Sequence, residues 1–289
     1  MEWDKSFIEE MAARRCIIFL GSGASAGCLS SDGKKRPPNW EALLKLLHAA
    51  MPNSNDKAFA LEKIVSKEYL DAAEIICSKI SPADYSAIMR SEFVAPRYQP
   101  SSVHKSVLKM DPKIVITTNY DDIYEKYCAA GDAAAGYNAC RYHDTHLIND
   151  LRSPVRSIIK AHGCVTDLSR SVLTRHQYFK ARQESSNFFK ILDALFITHT
   201  LFFIGYSLSD PDIQLLLENT NITAPSAHQH YAVIRRGSMH EALRAAATKS
   251  YNLRFVEYGG GDDHAELLAG IEELAGLVVE KREANPSAM

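Results

Sequence analysis

The apolar run Cys16-Ile17-Ile18-Phe19-Leu20 leads directly into Gly21-Ser22-Gly23-Ala24-Ser25. A strand that ends in a glycine turn constrains this chain more than any other feature. Small residues at such a turn let the backbone approach a ligand closely, and the N–H groups of the turn and of a following helix form a cradle for pyrophosphate. A dinucleotide is the ligand this arrangement favours, although two glycines without a third at the usual spacing also occur in ordinary tight turns. Three more polar motifs each follow a separate apolar run: Thr117-Thr118-Asn119-Tyr120-Asp121, His162-Gly163 and Gly205-Tyr206-Ser207-Leu208.

The apolar runs themselves predict six strands, at Cys16 to Leu20, Lys113 to Thr117, Ser157 to Ala161, Leu201 to Ile204, Tyr231 to Ile234 and Leu253 to Val256. They are continuous rather than alternating, as expected when helices cover both faces of a mostly parallel sheet. The fold class that follows is α/β, a doubly wound, Rossmann-like six-stranded sheet. Ligands bind such sheets at the carboxyl ends of the strands, where all four polar motifs fall.

About ninety residues separate the first two strands, far more than the few of an ordinary strand-to-helix loop. They must carry structure of their own. Trp40 to Leu47 and Leu61 to Ile80 have helical apolar spacing, and Pro82 opens a further helical segment. The expected organisation is one domain over 1–280, with a core at 12–30 and 110–280, a helical insertion at 38–108 and a polar tail at 281–289. Ser30 to Pro38, rich in Gly, Ser, Pro and basic residues, reads as a loop beside the glycine turn and as a candidate lid. Ile191 to Leu208, interrupted by Asp193 and His199, reads as a buried helix running into a buried strand rather than a membrane span.

A formal charge of −2, from Lys+Arg 33 against Asp+Glu 35, recruits neither nucleic acid nor an anionic membrane. The N-terminal residues lack the apolar stretch of a secretory signal. Cys16, Cys28, Cys77, Cys128, Cys140 and Cys164 form no C-x-x-C pair, so they read as thiols of a reducing cytoplasm, and no metal is expected.

Each polar motif has a bland reading beside a functional one. Asn119 or Asp121 can cap the helix that follows, while an amide at a strand end can also hold a ribose hydroxyl or a water. His162 is either a satisfied core group or a base that takes a proton from a ribose hydroxyl, and Gly163 after it permits close approach of a ligand. Gly205 to Asp212 is a loop into a capped helix, with Asp210 or Ser209 as cap and Pro211 in the first turn, and Gly205 and Ser207 can wall the dinucleotide as well.

In this order and at these strand ends, the four motifs resemble the sirtuin signature of a glycine turn, a T-x-N-x-D motif, a histidine-glycine pair and a final small-residue loop, over about residues 15–260. The resemblance is particularly to bacterial sirtuin-like proteins of antiphage systems, including the sirtuin subunit that partners a HerA-type ATPase. Pro38-Asn39-Trp40 and Leu173-Thr174-Arg175-His176-Gln177-Tyr178 fit that branch. It implies Asn119 and His162 as the catalytic pair. It implies NAD+ binding by Gly21, Ser22, Gly23, Ala24, Ser25, Asp121, Gly205, Ser207 and Leu208. Deacylating sirtuins carry a zinc module of two C-x-x-C pairs after the histidine and a G-I-P-D-F-R loop after the glycine turn; here Cys164 stands alone and that loop sequence is absent. The expectation is therefore NAD+ cleavage to nicotinamide and ADP-ribose in a cytoplasmic homo-oligomer regulated by a HerA-type ATPase. An NAD-dependent protein deacylase and a non-catalytic nucleotide-sensing subunit are the alternatives.

Overall fold

In the computed structural model, residues 1–130, 136–226, 228–259, 261 and 264–285 are described. Seven strands build one sheet: β1 (Cys16–Leu20), β2 (Ile114–Thr117), β3 (Tyr137–Arg141), β4 (Arg156–Lys160), β5 (Thr200–Ile204), β6 (His230–Arg235) and β7 (Leu253–Tyr258), in the order β3-β4-β2-β1-β5-β6-β7. Every pairing is parallel. The expected count of six is corrected to seven. The strand that apolar pattern misses is β3, whose Tyr-Asn-Ala-Cys-Arg sequence reflects its place at the sheet edge, where one neighbour and partial cover leave only Cys140 buried.

The other runs are apolar for the reason anticipated. In β1, Cys16, Ile18 and Leu20 enter one core cluster while Ile17 and Phe19 enter the other, one on each face of the sheet. All five are buried, and fully burying a large apolar side chain contributes roughly 1.5–3 kcal/mol. Helices Lys5–Ala12, Ser102–Met110 and Ala265–Ala284 supply the first cluster, and helices Ser186–Thr198 and Pro211–Thr223 the second. The helix Ser186–Thr198 runs into β5 as expected.

Between β1 and β2 lie helices Trp40–Ala49, Asn55–Val65, Tyr69–Lys79, Pro82–Phe93 and Ser102–Met110. The stretch from Leu61 to Ile80 is not one helix: Lys67 takes φ 62° and ends the first segment before the next begins. The first four helices share a third core cluster with Cys164, Val165 and Leu173, residues that follow β4, so the insertion is seated on the loop after His162. The polar tail begins later than position 281. Residues 281–284 complete the last helix, where Lys281 pairs with Glu9 at 2.8 Å and the buried Arg282 donates to the carbonyls of Ala12 and Met11; residues 286–289 lie outside the described residues.

Chain order reverses at β1, which has β2 on one side and β5 on the other. The carboxyl ends of β1 and β5 are thus the switch point of the sheet, where a doubly wound fold opens a crevice.

Candidate functional site

At that switch point the two glycine turns are locked together. The N–H groups of Gly21 and Gly23 donate to the carbonyls of Ile204 and Gly205 at 3.0 and 2.8 Å. Gly205 has φ 61°, and a Cβ there would lie 2.2 Å from the nitrogen of Ala24. The glycines therefore serve close approach of the two backbones, and only a four-residue helical turn, Ser22–Ser25, follows. Two N–H groups expected to cradle pyrophosphate are already engaged within the chain. Gly163 has a comparable role: with φ 77°, its Cβ position is 2.6 Å from the Arg170 carbonyl oxygen, so the neighbour it admits is the chain itself rather than a ligand.

A cleft of about 100 Å³ opens above these turns, lined among others by Ser22, Ser25, Asn119, Asp121, His162 and Ser207. Of the residues expected to hold the dinucleotide, Gly21, Gly23, Ala24, Gly205 and Leu208 do not line it; they form the backbone behind it. The far wall comes from the insertion through Pro37, Pro38, Asn39, Trp40, Leu43 and Phe93. Asn39 caps the helix that Trp40 begins, which fixes this wall. The loop expected as a lid is fastened at its base, Lys35 to Glu92 at 2.7 Å and Arg36 to the Ala26 carbonyl at 2.8 Å.

Asn119 is held by three hydrogen bonds. Its backbone N–H donates to Thr117 Oγ1 at 3.0 Å, and its amide nitrogen donates to the Gly21 carbonyl at 3.0 Å and to Ser25 Oγ at 3.3 Å. Because both amide hydrogens are used, Oδ1 is the group left for a ligand, as an acceptor. Asp121 accepts from Ser25 Oγ with one oxygen and from the Ile123 N–H with the other, so it braces the glycine turn and starts the next helix. The buried Lys160 Nζ, paired with Glu125 Oε1 at 2.6 Å, also donates to the Asp121 carbonyl. Burial pushes the Glu125 carboxyl up against the opposing pull of Lys160.

His162 sits at the end of β4 with its Nε2 3.0 Å from Asp210 Oδ2. Tyr178 OH donates to the same oxygen at 2.7 Å, and its ring meets the imidazole edge-on at 5.0 Å. Asp210 Oδ1 meanwhile accepts the N–H groups of Asp212 and Ile213 as the cap of helix Pro211–Thr223. Burial alone would raise the Asp210 carboxyl, but His162, Tyr178 and the Ile213 N–H outweigh it and hold the group below its ordinary value. Next to it Asp212 is pushed up to about 6 by burial, which Arg182 only partly offsets. With Nε2–H donated to Asp210, Nδ1 is the acceptor that remains on the His162 ring.

Sequence reasoning placed Asn119 and His162 in one site, and the structure brings them to one cleft. It did not give Asp210 or Tyr178 a part in that site. Asp210 carried a cap signal, and capping uses one carboxylate oxygen only.

Residues 113–256 match a SIR2-like domain. The matched span contains Asn119, His162, Tyr178 and Asp210, while the glycine turn after β1 lies before it. The chain is 26% identical over 220 residues to "Defense-associated sirtuin 2" of Bacillus subtilis, covering 75% of this chain and 20% of that protein. It is 23% identical over 230 residues to "NAD(+) hydrolase ThsA" of Acinetobacter baumannii, covering 79% and 44%. The Cytobacillus dafuensis protein of that name is 25% identical over 236 residues, covering 80% and 43%. The chain thus spans between a fifth and just under half the length of these relatives. Among the described residues no helix is long and apolar enough to cross a membrane.

Proposed function

We propose that the chain is an NAD+ glycohydrolase, releasing nicotinamide and ADP-ribose and depleting NAD+ in antiphage defence. The observation that carries this reading is the convergence of Asn119 and the His162–Asp210–Tyr178 cluster on one cleft at the switch point of a parallel sheet. In the reaction the bond from nicotinamide nitrogen to ribose C1 breaks and its electron pair neutralises the pyridinium. The ribose passes through an oxocarbenium-like state, which water captures. Asn119 Oδ1 accepts a hydrogen bond from a ribose hydroxyl or from that water and fixes its position. His162 Nδ1 takes the proton released, and the ionised Asp210 stabilises the imidazolium so formed. Ser22 and Ser207 offer hydroxyls along the rest of the cofactor, while Ser25 braces Asn119 and Asp121 from behind.

A cleft of about 100 Å³ is small beside the roughly 300–1,000 Å³ of small-molecule sites, and on this reading a whole dinucleotide requires the Pro37–Trp40 wall, held by the Asn39 cap, to shift together with its helix. That requirement gives assembly a means of control, since partner contacts on the insertion would set the fraction of open, competent sites. The homo-oligomer and the HerA-type ATPase as the controlling partner rest on the sequence resemblance. Nicotinamide release from NAD+, measured for the wild type, Asn119→Ala and His162→Ala with and without such an ATPase, tests both parts. The reading predicts turnover in the wild type alone, raised or lowered by the partner. Equal turnover in all three proteins would remove the site assignment, and wild-type turnover indifferent to the partner would remove the control.

A further inference from the structure

At the edge of the sheet, away from the cleft, Cys140, His146 and Asp150 place three donor atoms within 4.8 Å of one another. Cys140 lies on β3, with a fully buried side chain. His146 and Asp150 stand at i and i+4 around the helix Leu147–Arg152 and face the same side. Asp150 Oδ2 is the hub: Cys140 Sγ donates to it at 3.1 Å and His146 Nε2 is 3.3 Å away. We propose that Cys140, His146 and Asp150 form a divalent-cation site, suited to Zn2+, that clamps the edge strand β3 to the helix after it.

The donor chemistry and the spacing support each other. A thiolate, an imidazole and a carboxylate make a mixed soft and borderline set that favours Zn2+ over the oxygen-seeking Mg2+ and Ca2+. Tetrahedral Zn2+ with bonds of about 2.0–2.3 Å places neighbouring donors about 3.3–3.7 Å apart, close to the two separations present. The approach is open, since the His146 side chain is 54% exposed while Cys140 closes the inner side. Other nearby groups are committed elsewhere. Asp144 Oδ2 accepts the Arg141 N–H at 2.7 Å, and its other oxygen faces His143 at 3.5 Å. Binding would transfer the Cys140 proton to solvent and replace the thiol–carboxylate hydrogen bond by two metal bonds, leaving a coordination position for water. The absence of C-x-x-C pairs had argued against a metal. That test covers only sites built wholly of paired cysteines, whereas this one takes its single cysteine from a strand that the sequence did not reveal.

Cobalt(II) titration of the full chain, after chelator treatment and dialysis, tests the site through the near-ultraviolet thiolate-to-metal charge-transfer band. Wild type is expected to bind one equivalent of Co2+ with that band, to lose it on adding Zn2+, and to melt at a higher temperature with Zn2+ present. Cys140→Ser should abolish the band. His146→Ala, on an exposed side chain that folding does not need, and Asp150→Asn should each weaken binding by more than about tenfold, because even outer partners of metal ligands cost that much. Cys77→Ser should change nothing. A wild type without the band, a band that survives Cys140→Ser, or wild-type affinity in both His146→Ala and Asp150→Asn would overturn the proposal.

Discussion

Replacing Asp210 by Asn isolates what the second carboxylate oxygen does. The cap can survive, because Asn is as good a cap as Asp and the N–H groups of Asp212 and Ile213 require an oxygen at the Oδ1 position. That requirement turns the amide NH2 towards His162 and Tyr178. A donor then faces the Nε2–H and the Tyr178 hydroxyl, so the imidazole must move its proton to Nδ1 and can no longer accept one there. A hydrogen bond to a charged group is worth about 1.5–3 kcal/mol. Its loss together with the wrong tautomer predicts a fall in kcat of about 10²- to 10³-fold, with KM within a few-fold because the residue does not hold the substrate. Nicotinamide release across a pH series is the assay, alongside a thermal melt that should shift by no more than about 5 °C. Turnover within twofold of wild type with an unchanged pH profile would refute the proposed part of Asp210.

Three further outcomes follow from the structure. Gly205→Ala should destabilise the fold by roughly 2–6 kcal/mol, combining left-handed strain with backbone overlap at Ala24, whereas Gly237→Ala, at φ 77° with open space around it, should cost only about 1 kcal/mol; equal denaturation midpoints would contradict this. Lys160→Met leaves Glu125 buried without its cation and should cost about 3–5 kcal/mol, with Lys160→Met/Glu125→Gln recovering part of the loss; strict additivity in the double-mutant cycle would show that the pair is not coupled. His230, pushed down to about 4 by burial, accepts the Leu201 N–H in its neutral form. Its folded value lies below the unfolded one, so its contribution is present above pH about 6.5 and is lost as pH falls towards 4, by up to about 3 kcal/mol; His230→Asn should flatten the acid limb of a stability curve, and an unchanged limb would reject the assignment.

The parts of the fold legible in the sequence are those where burial leaves no alternative. β1 and β5 are covered on both faces, so every position but Thr200 at the start of β5 is apolar. β3 lies at the sheet edge with only Cys140 of its five residues buried, and its mixed sequence carries no strand signal. The site divides in the same way. Asn119 and His162 were visible because each polar residue ends an apolar run. The partnership of Asp210 with His162 joins positions from different loops, and nothing local distinguishes it from a helix cap. The glycine turn was read correctly as a place of close approach, but the partner was another turn of the same chain. Only the three-dimensional neighbour could show that Gly21 and Gly23 spend their N–H groups on Ile204 and Gly205.

The central claim is that this cleft hydrolyses NAD+, and the most direct measurement is mass spectrometry of the products formed from NAD+ in water enriched in heavy oxygen. The account predicts free nicotinamide and ADP-ribose in equal amounts, with one heavy oxygen in the ADP-ribose, and neither product from Asn119→Ala or His162→Ala. NAD+ recovered intact from the wild type at every condition of assembly, or product formed equally by the two variants, would contradict it.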